Sequence, residues 1–224
     1  MGWFGLDFEV HTADIDESVL AGEVPQNYTT RLAGEKAWAV AVTRDEEDII
    51  LAADTTVAIQ PEGESTWKIL GKPRDEQEAE VMLRLLRDKT HQVFTGIALT
   101  HGQKKSQNSS RPDASIGKVD TTRIHYGLSV SNVTMRPYSE QEMMDYIRSG
   151  DPLDKAGAYA VQNRTFHPVD RITGCHTSVV GLPVCLVDTL LRNEGIIPAV
   201  NLPDSCRSSQ KTICGVYQRF FADN

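Results

Sequence analysis

The chain has 224 residues, of which 40% are hydrophobic and 24% charged, the proportions of an ordinary globular protein with room for one fairly large domain or two small ones. Its net charge of −8 excludes broad nucleic-acid binding, which needs a basic surface to displace counterions. A small anionic ligand stays compatible, because a few local lysines outweigh a global charge.

The start, Met1 to Leu6, is apolar but short and has no basic residue, so it does not read as a signal peptide. Phe8-Glu9-Val10-His11 alternates and predicts a strand. Asp14-Ile15-Asp16-Glu17-Ser18 reads as an acidic loop. Tyr28 to Thr43 predicts a helix, with Leu32, Ala33, Ala37 and Val40 at helical spacing and Thr29 or Thr30 as cap. Asp48 to Ala53 is an apolar run of the buried-strand kind, continued by the β-branched stretch Thr55 to Ile59.

Glu62 to Thr66 predicts a turn, and Asp75 to Arg87 an amphipathic helix with Ala79, Met82, Leu83 and Leu86 on one face. His91 to Thr100 predicts a strand. His101 to Lys118 is polar and reads as a flexible insertion between two strands. Asp120 to Met135 follows as a strand, with a possible break at Gly127. Ser139-Glu140-Gln141-Glu142 has the form of a capping box opening a helix through Arg148, which Gly150 ends. Short strands are predicted at Tyr159 to Gln162 and Val169 to Ile172, then a helix over Leu182 to Glu194 with Pro183 in its first turn. Residues 198–224 form a tail after a domain spanning 1–197. The alternation of strands and helices predicts the α/β class with a mixed sheet.

No run approaches the ~18–20 apolar residues that cross a bilayer. Cys175, Cys185, Cys206 and Cys214 lack C-x-x-C spacing, which fits reduced thiols in the cytoplasm.

Several segments carry chemistry-bearing residues. Asp54 follows an apolar run, where α/β folds place ligands, although an aspartate there also serves as a turn or cap residue. Gly71-Lys72-Pro73 sets a lysine between a glycine that permits close backbone approach and a proline that fixes the exit. Such a lysine is a point charge for a phosphate or a solvated turn residue. Arg31 and Lys36 share a helix. Asp14, Asp16 and Glu17 offer oxygen ligands to a hard divalent cation, or form a solvated loop. Asp151-Pro152-Leu153-Asp154-Lys155-Ala156-Gly157 packs two further acids, a lysine and a glycine into a turn, the mark of a functional loop. Neither G-x-x-x-x-G-K-[ST] nor G-x-G-x-x-G occurs.

In this order the segments resemble the Maf family. They are Asp14-Ile15-Asp16-Glu17, Arg31-Leu32-Ala33 with Lys36-Ala37, and Ala52-Ala53-Asp54-Thr55, then Leu70-Gly71-Lys72-Pro73 with Asp75, and His91 with Val93 and Thr95-Gly96. Asp154-Lys155-Ala156-Gly157-Ala158-Tyr159 and Val180-Gly181-Leu182-Pro183 complete the set over roughly residues 6–195. The resemblance implies an α/β fold with two lobes around a cleft, similar to inosine triphosphate pyrophosphatases. It implies hydrolysis of a nucleoside triphosphate to the monophosphate and pyrophosphate with a divalent metal, Mg or Mn. Asp54 matches the family's proposed catalytic acid/base and Glu17 an acidic site residue; Asp54 then serves as proton acceptor or as ligand of a metal that Glu17 shares. Lys36 and Lys72 match lysines that face phosphates. Thr55 and Gln162 match positions of substrate choice in the dTTP/UTP branch. Family members are often dimeric, so a homodimer is implied.

Two departures accompany the match. The family opens with a strand and a Ser-x-Ser-x-Arg-Arg type loop, whereas this chain begins with residues like those that follow them, so about twenty residues of the pattern are expected to be missing. His176-Thr177-Ser178 stands where Tyr-Ser-Asn is more usual. The alternative reading is a nucleotide-binding or septum-regulating Maf-like protein with impaired catalysis.

Overall fold

A computed structural model describes residues 5–104, 123–201, 204–206 and 216. The predicted insertion lies outside the described residues from 105 to 118, as does most of the predicted tail. Helix α1 runs over Pro25–Ala41. Strand β1 (Ile49–Ile59), strand β2 (Lys68–Leu70), helix α2 (Glu76–Leu86) and strand β3 (Thr90–His101) follow. Next come strand β4 (His125–Met135) and helix α3 (Glu140–Arg148), then two 3-10 turns at Asp151–Asp154 and Ala156–Ala158. Strand β5 (Val169–Thr173), the short helix α4 (His176–Val179) and helix α5 (Val184–Asn193) complete the order.

The α/β class stands, as a five-stranded sheet in the order β2-β1-β3-β4-β5 with flanking helices. Its ladders are more uniform than the expected mixture, because every pairing among these strands is antiparallel. The two apolar runs expected before and after Asp54 form one continuous β1 that pairs with β3 from Ile49↔His101 to Ala58↔Gln92.

Side chains alternate along β1 and β3, so each face meets a different layer. Ile50 and Ala98 turn toward Ala33, Ala37 and Ala41 of α1. Ile97 and Leu99, with Leu51 and Ala53, pack on Val184, Val187 and Leu191 of α5. Farther along the sheet, Val57, Val93 and Val133 meet α2 and α3 through Leu83, Leu86, Met143 and Ile147. The buried face of α2 is the predicted set Ala79, Met82, Leu83 and Leu86. Each of the three larger side chains contributes about 1.5–3 kcal/mol by burial.

Small residues set the spacing. A Cβ on Gly96 would lie 2.7 Å from the Thr29 carbonyl oxygen, so glycine lets α1 lie directly on β3. Gly127 does not break β4. A Cβ there would meet Leu186 at 2.9 Å, and its absence admits α5. Helix α3 has the predicted capping box between Ser139 and Glu142, and Gly150 follows it at φ 75°.

Some local expectations fail for identifiable reasons. Phe8 to His11 has no ladder partner among the described residues, with Phe8 and Val10 both exposed, since alternation stabilises a strand only when one face is buried. Helix α1 starts at Pro25 rather than being capped by Thr29 or Thr30. The proline has no N–H to satisfy, and Thr29 instead donates its hydroxyl back to the Pro25 carbonyl at 2.7 Å. Tyr159 to Gln162 is not a strand but enters a turn closed by Asn163 N–H donating to the Ala160 carbonyl at 3.1 Å. Strand β2 and helix α4 are too short to show a period and were not anticipated.

Candidate active site

Strand β2 pairs only with Val57 to Ile59, so among the described strands β1 has an uncovered edge from Ile49 to Thr56. Beside that edge lies a cavity of about 340 Å³. Asp54 is in the middle of β1 rather than at its end, and its row in the sheet, Asp54↔Gly96↔Leu128, faces α1. The close approach of α1 at Gly96 therefore carries Lys36 to the aspartate.

Lys36 Nζ lies 2.7 Å from Asp54 Oδ1 and 2.7 Å from Glu17 Oε1. Asp54 is 8% exposed, and its second oxygen, Oδ2, accepts a hydrogen bond from the Thr56 hydroxyl at 3.3 Å. Burial pulls the Lys36 ammonium toward lower pKa. Hydrogen bonds to Asp54 and Glu17, together with their charges, outweigh it and hold the group above the usual lysine value. Lys36 thus stays charged and keeps two like-charged carboxylates together.

Glu17 is reached from a long loop, and α1 holds that loop in place. The Tyr28 hydroxyl donates to the Glu17 carbonyl at 2.7 Å, and Arg31 Nη2 donates to the Ser18 carbonyl at 2.9 Å while its Nε pairs with Glu23 at 2.8 Å. Asp16 accepts from the Ser18 N–H at 2.9 Å instead of joining Glu17. Of the predicted acidic cluster, only Glu17 reaches the cavity lining.

A further wall comes from Gly71 and Lys72 after β2 and from Asp154 to Ala156. Gly157 N–H donates to the Gly71 carbonyl at 3.0 Å and joins the two segments. Gly157 has φ 69° and would place a Cβ 2.9 Å from Val57, so this junction requires glycine. Val57, Leu70, Val93 and Tyr159, with Val179 packed against them, form one apolar patch of the lining, and Val161 adds a further apolar side chain. Thr55 lines the cavity and its hydroxyl is 3.0 Å from that of Thr95, which donates to the Ser178 carbonyl at 2.7 Å.

The fold therefore brings Glu17, Lys36, Asp54, Thr55 and Lys72 around one cavity. Gln162 is exposed in the turn beyond Val161 and is not among the lining residues. Sequence reasoning gave no role to Tyr28, Thr56 or Tyr159. The first two lie within segments read as secondary structure, and Tyr159 closes a family motif but was placed in a predicted strand.

A family model described as Maf-like protein matches residues 2–194. The chain belongs to the Maf-like family. Among curated relatives of this Maf-like protein, a dTTP/UTP pyrophosphatase of Hahella chejuensis is 41% identical over 86% of this chain and 84% of the relative. A dTTP/UTP pyrophosphatase of Myxococcus xanthus is 41% identical over 85% of this chain and 84% of the relative. A third, from Geobacter sulfurreducens and bearing the same name, is 37% identical over 86% of this chain and 88% of the relative. No helix among the described residues is long and apolar enough to cross a membrane.

Proposed function

We propose that this Maf-like protein hydrolyses dTTP and UTP to the monophosphate and pyrophosphate in the cytoplasm. The observation that carries the reading is the convergence of Glu17 and Asp54 on Lys36, each at 2.7 Å, inside a cavity that also receives Lys72. The relatives' shared name supports the substrate class.

Water attacks the α-phosphorus, a new P–O bond forms, and the bond to the oxygen bridging to the β-phosphorus breaks. Asp54 accepts the proton from water. Lys36 and Lys72 offset charge on the triphosphate and on the departing pyrophosphate. The apolar patch of the cavity lining suits a pyrimidine ring. Thr55 lies along that cavity, and Gln162, one residue past a lining valine, is assigned to the base edge, for which its amide offers a donor and an acceptor.

The donor set fits a divalent cation such as Mg or Mn. Glu17 and Asp54 offer only hard oxygens, and among the described residues no group of three or more His, Cys, Asp or Glu forms a complete protein cage. Two carboxylates completed by phosphate oxygens and water are the ligand pattern typical of Mg²⁺. Glu17 and Asp54 would hold such a cation, which would supply charge neutralisation and acidify water.

The test is pyrophosphate release from dTTP and UTP with magnesium or manganese, comparing the chain with Asp54→Asn. The variant is expected to lose about 10²–10⁴-fold in kcat with its thermal unfolding intact. Equal rates in the two proteins overturn the assignment of Asp54. Faster turnover of purine triphosphates overturns the substrate class.

A further inference from the structure

Lys36 is shared between two carboxylates, so further phosphate-binding charge falls to the wall of the cavity that Lys72 lines. That wall carries Lys72 and the pair Asp154–Lys155. Lys155 Nζ lies 2.5 Å from Asp154 Oδ1 and 3.7 Å from Asp151 Oδ1. Asp154 is set apart by its exposure, with 75% of its side chain open to solvent against 33% for Lys155.

We infer that Lys155 is a second phosphate-binding lysine of this wall, paired with Lys72, and that Asp154 is an internal anion that occupies Lys155 until a triphosphate displaces it. The inference rests on the nucleotide-hydrolase reading for the identity of the anion.

Three observations carry it. Asp154 and Lys155 are neighbours in the chain and both line the cavity, so their contact is not needed to bring distant elements together. An ion pair this exposed is weak, and a multiply charged phosphate competes well with a single carboxylate for the lysine. The backbone at this point is held by other means. Gly157 N–H donates to the Gly71 carbonyl at 3.0 Å, and Ala158 N–H donates to the Lys155 carbonyl at 3.0 Å. Gly157 and Ala158 both have positive φ, 69° and 59°, which turns the chain so that Lys155 and Lys72 share one wall. The electrostatics agree, since Asp154 is held below the usual aspartate range first by its hydrogen bond to Lys155, with Lys72 also contributing. A positive φ at a non-glycine residue is a cost that tends to accompany functional loops.

Lys155 and Asp154 then have opposite effects on substrate affinity, which a structural clip does not produce. Lys155→Gln is expected to raise KM for dTTP at least tenfold with kcat changed less than threefold. Asp154→Asn is expected to lower KM severalfold, and Lys155→Arg to keep most of the affinity. Calorimetric titration of each protein with inorganic tripolyphosphate gives a second reading that needs no turnover, and thermal unfolding checks that all three variants fold. An unchanged KM and unchanged tripolyphosphate affinity in Lys155→Gln overturns the inference. So does Asp154→Asn weakening binding as Lys155→Gln does, which marks the pair as a clip. Lys155-dependent tripolyphosphate binding without hydrolysis of any triphosphate upholds this site while overturning the hydrolase reading. If the unaltered chain binds no tripolyphosphate and hydrolyses nothing, both fall.

Discussion

Buried His91 shows how strongly one residue can feel its surroundings beside the cavity. The residue is 2% exposed, Nε2 is 2.7 Å from the Tyr159 hydroxyl, and Nδ1 has no hydrogen-bond partner among the described residues. Burial pushes the imidazole pKa down to about 4. The folded state therefore keeps His91 neutral where the unfolded chain, with its pKa near 6.5, binds a proton. The stability that His91 confers is fully present above about pH 6.5 and is lost as pH falls toward about 4, up to about 3 kcal/mol. Thermal unfolding between pH 4 and 7.5 should show this slope, and His91→Phe should flatten it. An identical slope in the variant removes His91 as its source. The neighbouring Tyr159 lines the cavity, so the same protonation is expected to disturb the cavity wall. The resemblance to a family quoted His91 as a motif residue, yet nothing in the local sequence reveals its burial. That follows from the ring standing against Tyr159, 68 positions away.

At the scale of elements, α1 and its seat on β3 decide the site. The helix itself was legible from Leu32, Ala33 and Ala37, which the fold buries. Its capping was misread, because the proline start makes a side-chain cap dispensable. Gly96→Ala would press a methyl group to within 2.7 Å of the Thr29 carbonyl oxygen and 3.2 Å of Thr30 Cα. Backbone cannot yield as a flexible side chain does, so α1 must shift and Lys36 with it. We expect a loss of about 1–3 kcal/mol in stability, the usual range for overpacking. Triphosphate turnover should fall by more than the unfolded fraction accounts for. Unchanged turnover at the working temperature would show that the Lys36–Asp54 contact tolerates the displacement. Helices α2 and α3 were read well because their apolar periodicity, Asp75 cap and Ser139 capping box are all local signals.

At the scale of the molecule, the −8 net charge coexists with a cavity that gathers Lys36, Lys72 and Lys155. Ligand binding to this wall stabilises the whole fold by mass action, because the three lysines come from separate elements and only the native state assembles them. A triphosphate at 100 times its dissociation constant should add about 2.7 kcal/mol. In the presence of magnesium, dTTP and UTP are expected to raise the melting temperature more than GTP at equal concentration. Equal shifts for all three would show that the cavity reads phosphate alone.

Composition, helix periodicity and short ordered motifs were enough to establish the α/β class, most element positions and the family. The ordered motifs, through the resemblance to the family, also pointed to Asp54, Lys36, Lys72, Thr55 and Glu17, since motif residues and their order are properties of the chain itself. Only the tertiary structure decided that every described sheet pairing is antiparallel, that Asp54 lies mid-strand, and that Lys36 holds it to Glu17. It also separated Glu17 from the other acids of its loop and left Gln162 outside the cavity lining. The physical reason is that such contacts join residues far apart in the chain. Their geometry depends on how closely α1 approaches the sheet, and a missing side chain at Gly96 sets that distance.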